Sequence, residues 1–102
     1  FTAGQVAWDE TGGVTGIGNV AAQTRQTLKN VVAVLHEGGA SVDDVIKCNV
    51  YLADIRDFEI MNAEFAKVFP TDPPARTTVE ARLAEAAMLV EIEAVAWVEP
   101  VS

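Results

Sequence analysis

The sequence predicts a small α/β (α+β) domain, in the order β-β-α-β-α-β-β, with two helices packed on one face of a mixed sheet. Three observations carry this. Two runs have the two-residue period of strands, Arg76–Leu83 and Val90–Trp97. Two apolar rows recur at three and four residues, Ala21-Thr24-Leu28-Val31-Leu35 and Phe58-Met61-Phe65-Phe69. Between the rows lies Val45–Leu52, rich in β-branched residues.

In chain order, Phe1–Trp8 reads as a strand in which Gly4 permits a bulge or a close backbone approach. Asp9–Gly18 holds Gly12, Gly13, Gly16 and Gly18 and reads as a hairpin-like turn and connector; Gly16-Ile17-Gly18 lacks the spacing and context of a dinucleotide fingerprint. Asn19 caps the first helix and Gly38-Gly39 ends it. On that helix Gln23, Gln26, Lys29 and Asn30 fall mostly off the apolar row. Ser41–Asp44 reads as a capped turn. In the following strand Ile46, Cys48, Val50 and Leu52 form one row, and Lys47, Asn49 and Tyr51 the other. A second helical region starts at Asp54, and its aromatic stripe reads as core; Asn62 lies beside it and needs a hydrogen-bond partner if buried. Pro70, Pro73 and Pro74 stop the helix and stiffen the approach to Arg76. Ala84–Leu89 then allows a hairpin that sets Arg82 near Glu91.

The chain has 102 residues, enough for one domain (1–102) with a modest core, and half of them are apolar. Seven basic against fifteen acidic residues give a net charge of −8, which argues against nucleic-acid binding. No apolar run reaches membrane-spanning length. The chain opens at Phe1 inside an apparent strand, so a preceding N-terminal segment is expected. The lone Cys48 reads as a small buried hydrophobe and fits a reducing, cytoplasmic compartment; the lone His36 lacks the companions of a metal site.

Two helices cover one sheet face. The other carries Tyr51, Val95 and Trp97 among polar groups, and a homo-oligomer with packed sheets would cover it. Arg76, just after the Pro-Pro turn, stands where loops deliver ligand contacts. The hairpin register separates Arg76 from Glu91 by about 20 Å, so the two meet on a small ligand only if different chains supply them.

Ala3-Gly4-Gln5-Val6, Ala22–Asn30, Val50–Asp54, Phe58, Asn62-Ala63, Pro74–Glu80 and Val90–Ala94 together resemble the YjgF/Rid family, also labelled L-PSP endoribonuclease-like. The resemblance covers nearly the whole chain. It implies a chorismate-mutase-like fold, a homotrimer with a central β-barrel, and three clefts between subunits. It further implies hydrolysis of 2-imino acids or their enamine tautomers (2-iminopropanoate, 2-iminobutanoate or aminoacrylate types) to 2-keto acids and ammonia, with no metal or organic cofactor. On this basis Arg76 binds the substrate carboxylate and Glu91 positions water. Asn62, Thr78 and Gly4 complete the substrate-binding set. Ala3 stands where many active members have serine, and Thr78 where many have cysteine. Two readings from other classes are a non-enzymatic trimer that binds small carboxylates or acts as a chaperone-like surface, and an endoribonuclease.

Overall fold

The computed structural model describes residues 1–99. The regular elements are α1 (Val20–Glu37), β1 (Val45–Leu52), α2 (Phe58–Val68), β2 (Ala75–Glu80) and β3 (Val90–Ala96). The sheet order is β2-β1-β3, with β1 parallel to β2 and antiparallel to β3. The parallel pair needs a crossover, and α2 supplies it.

Asn19 caps α1, its side-chain oxygen accepting from the Ala22 N–H at 3.0 Å. The helix closes at Gly38-Gly39, with Gly39 at φ +84°. It buries Thr24, Leu28, Val31 and Leu35, as the spacing predicts. Gln23 departs from expectation: it is fully buried. Its amide donates to the Ala87 carbonyl at 2.7 Å and accepts from the Leu89 N–H at 2.9 Å, so both ends are satisfied. A residue flanking an apolar stripe is buried where a loop crosses the helix, and here the loop before β3 does so.

β1 lies at the centre of the sheet. Cys48, Val50 and Leu52 face the helices with no exposure, against Val90, Ile92 and Ala94 of β3 and Leu28, Met61 and Phe65 of the helices. The first residue of the predicted row fails: Ile46 is 55% exposed and Val45 is buried instead. The pairing with β3 slips between Val45 and Lys47, and the extra residue of this irregularity reverses the alternation.

The predicted hairpin between β2 and β3 does not form, because β1 runs between them. Both strands carry the right two-residue period, but period identifies faces and says nothing about neighbours. Glu91 therefore pairs in register with Tyr51, and Arg82 lies exposed beyond the end of β2.

Of the two predicted N-terminal strands, the first is an extended segment along the outer edge of β3. The Thr2 N–H donates to the Ala94 carbonyl and the Gln5 N–H to the Ile92 carbonyl, both at 2.8 Å. Three steps on one side match two on the other, which places a bulge at Ala3-Gly4. A single bridge, Trp8 to Val14, then closes the glycine-rich turn. Asp9 organises that turn, accepting from the Thr11 and Gly13 N–H groups at 2.9 and 3.1 Å.

Among the described residues no helix covers the second face of the sheet. Val79 is 42% exposed there, and Trp97, just past β3, is 65% exposed. No described helix is long and apolar enough to cross a membrane.

Candidate functional site

β2 sets the first half of the site. Arg76 stands opposite Cys48, whose side chain faces the helices, so Arg76 faces the same way. Its guanidinium carbon lies 4.7 Å from the Phe65 ring centroid and 5.2 Å from that of Phe58. Cation–π attraction of this kind holds a guanidinium without consuming its N–H donors. Among the described residues no carboxylate pairs with Arg76; the ion pairs are Arg25–Glu64, Lys67–Glu64 and Arg56–Asp54. In sequence Phe58 and Phe65 read only as core. Phe65 is core, yet the same ring also carries Arg76, and helical spacing holds no signal for that second task.

A 410 Å³ cavity opens beside Arg76. Its walls are Phe65, Phe69, Pro70, Pro73 and Pro74, while Asn62 and Arg76 supply polar groups. Asn62 and Arg76 thus line one cavity. Thr78 follows on the same face of β2, opposite the buried Val50; its Oγ1 is shielded from solvent and has no partner among the described residues. Beneath Arg76, burial pushes the Cys48 thiol up to about 11, despite the positive charges of Arg76 and Lys47. The thiol is neutral at physiological pH and is a poor nucleophile.

β3 sets the second half. Glu91 and Glu93 face away from the helices, since their neighbours Val90, Ile92 and Ala94 are the buried ones. The two carboxylates differ. Glu93 accepts from Tyr51 Oη at 2.7 Å and Asn49 Nδ2 at 3.0 Å. The bond to Glu93, with some desolvation and the negative charges of Glu93 and Glu91, pushes the Tyr51 phenol above its ordinary range. Glu91 has no such bond among the described residues, and it lies against the Gly4 backbone. A Cβ at Gly4 would collide with the Glu91 carboxylate, standing 2.9 Å from its Cδ. Glycine at this point lets the carboxylate pack directly against the backbone of the edge segment.

The two halves do not meet within one chain. Arg76 and Glu91 lie on the outer strands, two strand gaps and three residues apart by register. That puts their Cα atoms about 14 Å apart, less than the hairpin predicted. Their side chains point to opposite faces, which is the stronger separation. Among the described residues no cluster of three His, Cys, Asp or Glu side chains is placed to hold a metal ion.

Fold and site together define a small α/β domain with an anion-ready arginine at one sheet edge and an uncommitted carboxylate on the opposite face. Residues 1–98 match the family described as Endoribonuclease L-PSP, and the chain belongs to that family, the YjgF/RutC group. It is 43% identical over 99 residues to a RutC family protein of Pyrococcus horikoshii, covering 97% of this chain and 79% of the relative. It is 35% identical over 98 residues to the 3-aminoacrylate deaminase RutC of Acinetobacter baylyi, covering 96% and 78%. The structure of Escherichia coli TdcF with bound serine superposes with a TM-score of 0.87 at 33% identity, covering 96% of this chain and 79% of that one.

Proposed function

We propose that this chain is the subunit of a deaminase that hydrolyses 2-imino acids, or their enamine tautomers, to 2-keto acids and ammonia. The observation that carries the reading is Arg76: half-buried, stacked on two aromatic rings, and without an acidic partner among the described residues of a chain of net charge −8. Its planar fork matches a carboxylate with two parallel hydrogen bonds. Asn62 and Thr78 flank that carboxylate site. The relative named as a 3-aminoacrylate deaminase supports the reaction class.

The site is completed between subunits of a homotrimer, where Arg76 of one chain faces Glu91 of the next. Opposed side chains within one chain, and an open sheet face bearing Val79 and Val95, support this assembly. With the carboxylate held, the imine carbon is placed for attack. Glu91, seated against Gly4, orients water and accepts a proton as the C–O bond forms; the nitrogen takes up a proton, giving a carbinolamine. Collapse of that intermediate breaks the C–N bond, releases ammonia and leaves the keto acid. Water and proton transfers balance the reaction.

The bound serine in TdcF favours a second reading, a carboxylate-binding protein without chemistry. The family description raises a third, RNA cleavage, which the net charge opposes by repelling phosphates. Ammonia release from freshly generated 2-iminopropanoate separates the first reading from the other two. The deaminase reading expects release well above the spontaneous rate; a rate equal to buffer alone would leave the binding reading in its place.

A further inference from the structure

We infer that Glu93 is a positioning residue for Glu91: it takes the hydrogen-bond donors that Tyr51 and Asn49 present on this face, and so leaves the Glu91 carboxylate free to hold water. The inference rests on the deaminase reading and names a further residue of the same site.

Register sets up a competition between the two carboxylates. Tyr51 stands directly opposite Glu91, and Asn49 directly opposite Glu93. Residues directly opposite in an antiparallel pair have Cβ atoms about 4.5–5.5 Å apart, whereas diagonal neighbours are about 7–8 Å apart and within reach only of long side chains. Glu91 therefore starts as the nearer carboxylate to Tyr51. The phenol nevertheless crosses the diagonal and donates to Glu93 Oε1 at 2.7 Å. Asn49 Nδ2 donates to the same oxygen at 3.0 Å. A phenol has one O–H, so a bond given to Glu93 is a bond withheld from Glu91.

The donor is a lasting one. The bond to Glu93, desolvation and the negative charges of Glu93 and Glu91 push the Tyr51 phenol above its ordinary range, so it keeps its proton at neutral pH. Without Glu93, the carboxylate that faces Tyr51 from β3 is Glu91. A carboxylate that accepts a phenol O–H is a weaker base and has one oxygen fewer for water. On its other flank Glu91 rests against Gly4, which brings no side chain to compete for it. Asn49 stands two residues further along β1 and is the more distant donor.

The test follows kcat for a 2-imino acid and the carboxyl-carbon NMR resonance of Glu91, identified by its loss in Glu91→Gln. Glu93→Ala should lower kcat about tenfold, the effect of one hydrogen bond to a charged group, with keto-acid binding retained. Tyr51→Phe alone should leave kcat within about twofold, because it removes a donor that Glu91 does not receive. Added to Glu93→Ala, Tyr51→Phe should restore most of the lost activity, whereas two purely structural losses would add. Glu93→Gln keeps an accepting oxygen and should stay near the wild type. The Glu91 resonance should shift in Glu93→Ala and return in the double variant. Glu93→Thr, a strand-favouring side chain too short to reach the phenol, takes the place of alanine if that variant does not fold. Full activity of Glu93→Ala, a loss that Tyr51→Phe fails to restore, or a Glu91 resonance indifferent to Glu93 would overturn the inference. If the resonance follows the expected pattern while no form hydrolyses a 2-imino acid, the deaminase reading falls and the positioning of Glu91 stands. If the wild type hydrolyses 2-imino acids and the double variant stays as slow as Glu93→Ala, the inference falls and the deaminase reading stands.

Discussion

Two cationic regions lie against α2, and they are built oppositely. Around Glu64 the charges are saturated: the buried carboxylate accepts from Arg25 at 2.8 Å and from Lys67 at 3.1 Å, tying α1 to α2. Around Arg76 the partners are aromatic faces, and the N–H edges stay open beside a cavity. The two carboxylates of β3 repeat the contrast, Glu93 bonded to Tyr51 and Asn49, and Glu91 left uncommitted. A charge that stabilises a fold is consumed by its neighbours. A charge held in place but not consumed remains available to a ligand.

The largest effect expected from breaking this contrast is at the open charges. Arg76→Lys keeps the charge but loses the planar fork, and turnover of a 2-imino acid should fall about a hundredfold at an unchanged melting temperature. Glu91→Gln should lower kcat similarly with keto-acid binding retained. Refolding the two inactive variants together should restore activity if different subunits supply the two groups. Inactivity of the mixture, with subunit exchange verified by mass spectrometry, would place the working pair elsewhere.

A smaller loss is expected from Gly4→Ala. Gly4 is exposed and is not among the glycines with positive φ, so alanine is tolerated by the backbone and the fold. The added methyl displaces the Glu91 carboxylate, and kcat should drop on the order of tenfold, since small misplacements of a reacting group are costly. An unchanged kcat would show that the seat at Gly4 does not matter.

At the saturated charge the effect should be on stability alone. Burial raises the Glu64 carboxyl, but the hydrogen bond from Lys67 and the charges of Lys67 and Arg25 outweigh it, and its pKa lies below the ordinary value of 4.5. A carboxyl depressed in the folded state contributes stability above its unfolded pKa and loses it as pH falls through the folded one. Glu64→Gln should therefore cost about 1 kcal/mol at neutral pH, a modest figure because Arg25 and Lys67 are largely exposed. The cost should shrink below about pH 4, and turnover should not change. Urea melts of both forms at pH 7 and pH 3.5 measure it, and a cost independent of pH would remove the ion cluster as its cause.

Much of this architecture is legible in the residues. Val45–Leu52 is a strand over the bounds its composition suggests, and the caps at Asn19 and Gly38-Gly39 bracket α1. Arg76 and Asn62 do line one cavity. The rest depends on contacts distant in the chain. Alternation in β2 and β3 cannot reveal that β1 separates them. The slip at Val45–Lys47 that exposes Ile46 is a property of a pairing, not of one strand. The seat of Glu91 against Gly4 joins residues far apart in sequence, and Gly4 alone signals only that something comes close.

The amide of Gln23 has a consequence for how the chain reaches this state. Its two bonds span 64 and 66 residues. Closing a flexible loop of that length costs about 4 kcal/mol in chain entropy by the logarithmic law, before any constant. Two hydrogen bonds return about 2 kcal/mol net. The clasp cannot recruit its own ends. It closes only after apolar contact between α1 and β3 has drawn them together, and so it belongs to the late, consolidating stage of folding and not to the nucleus.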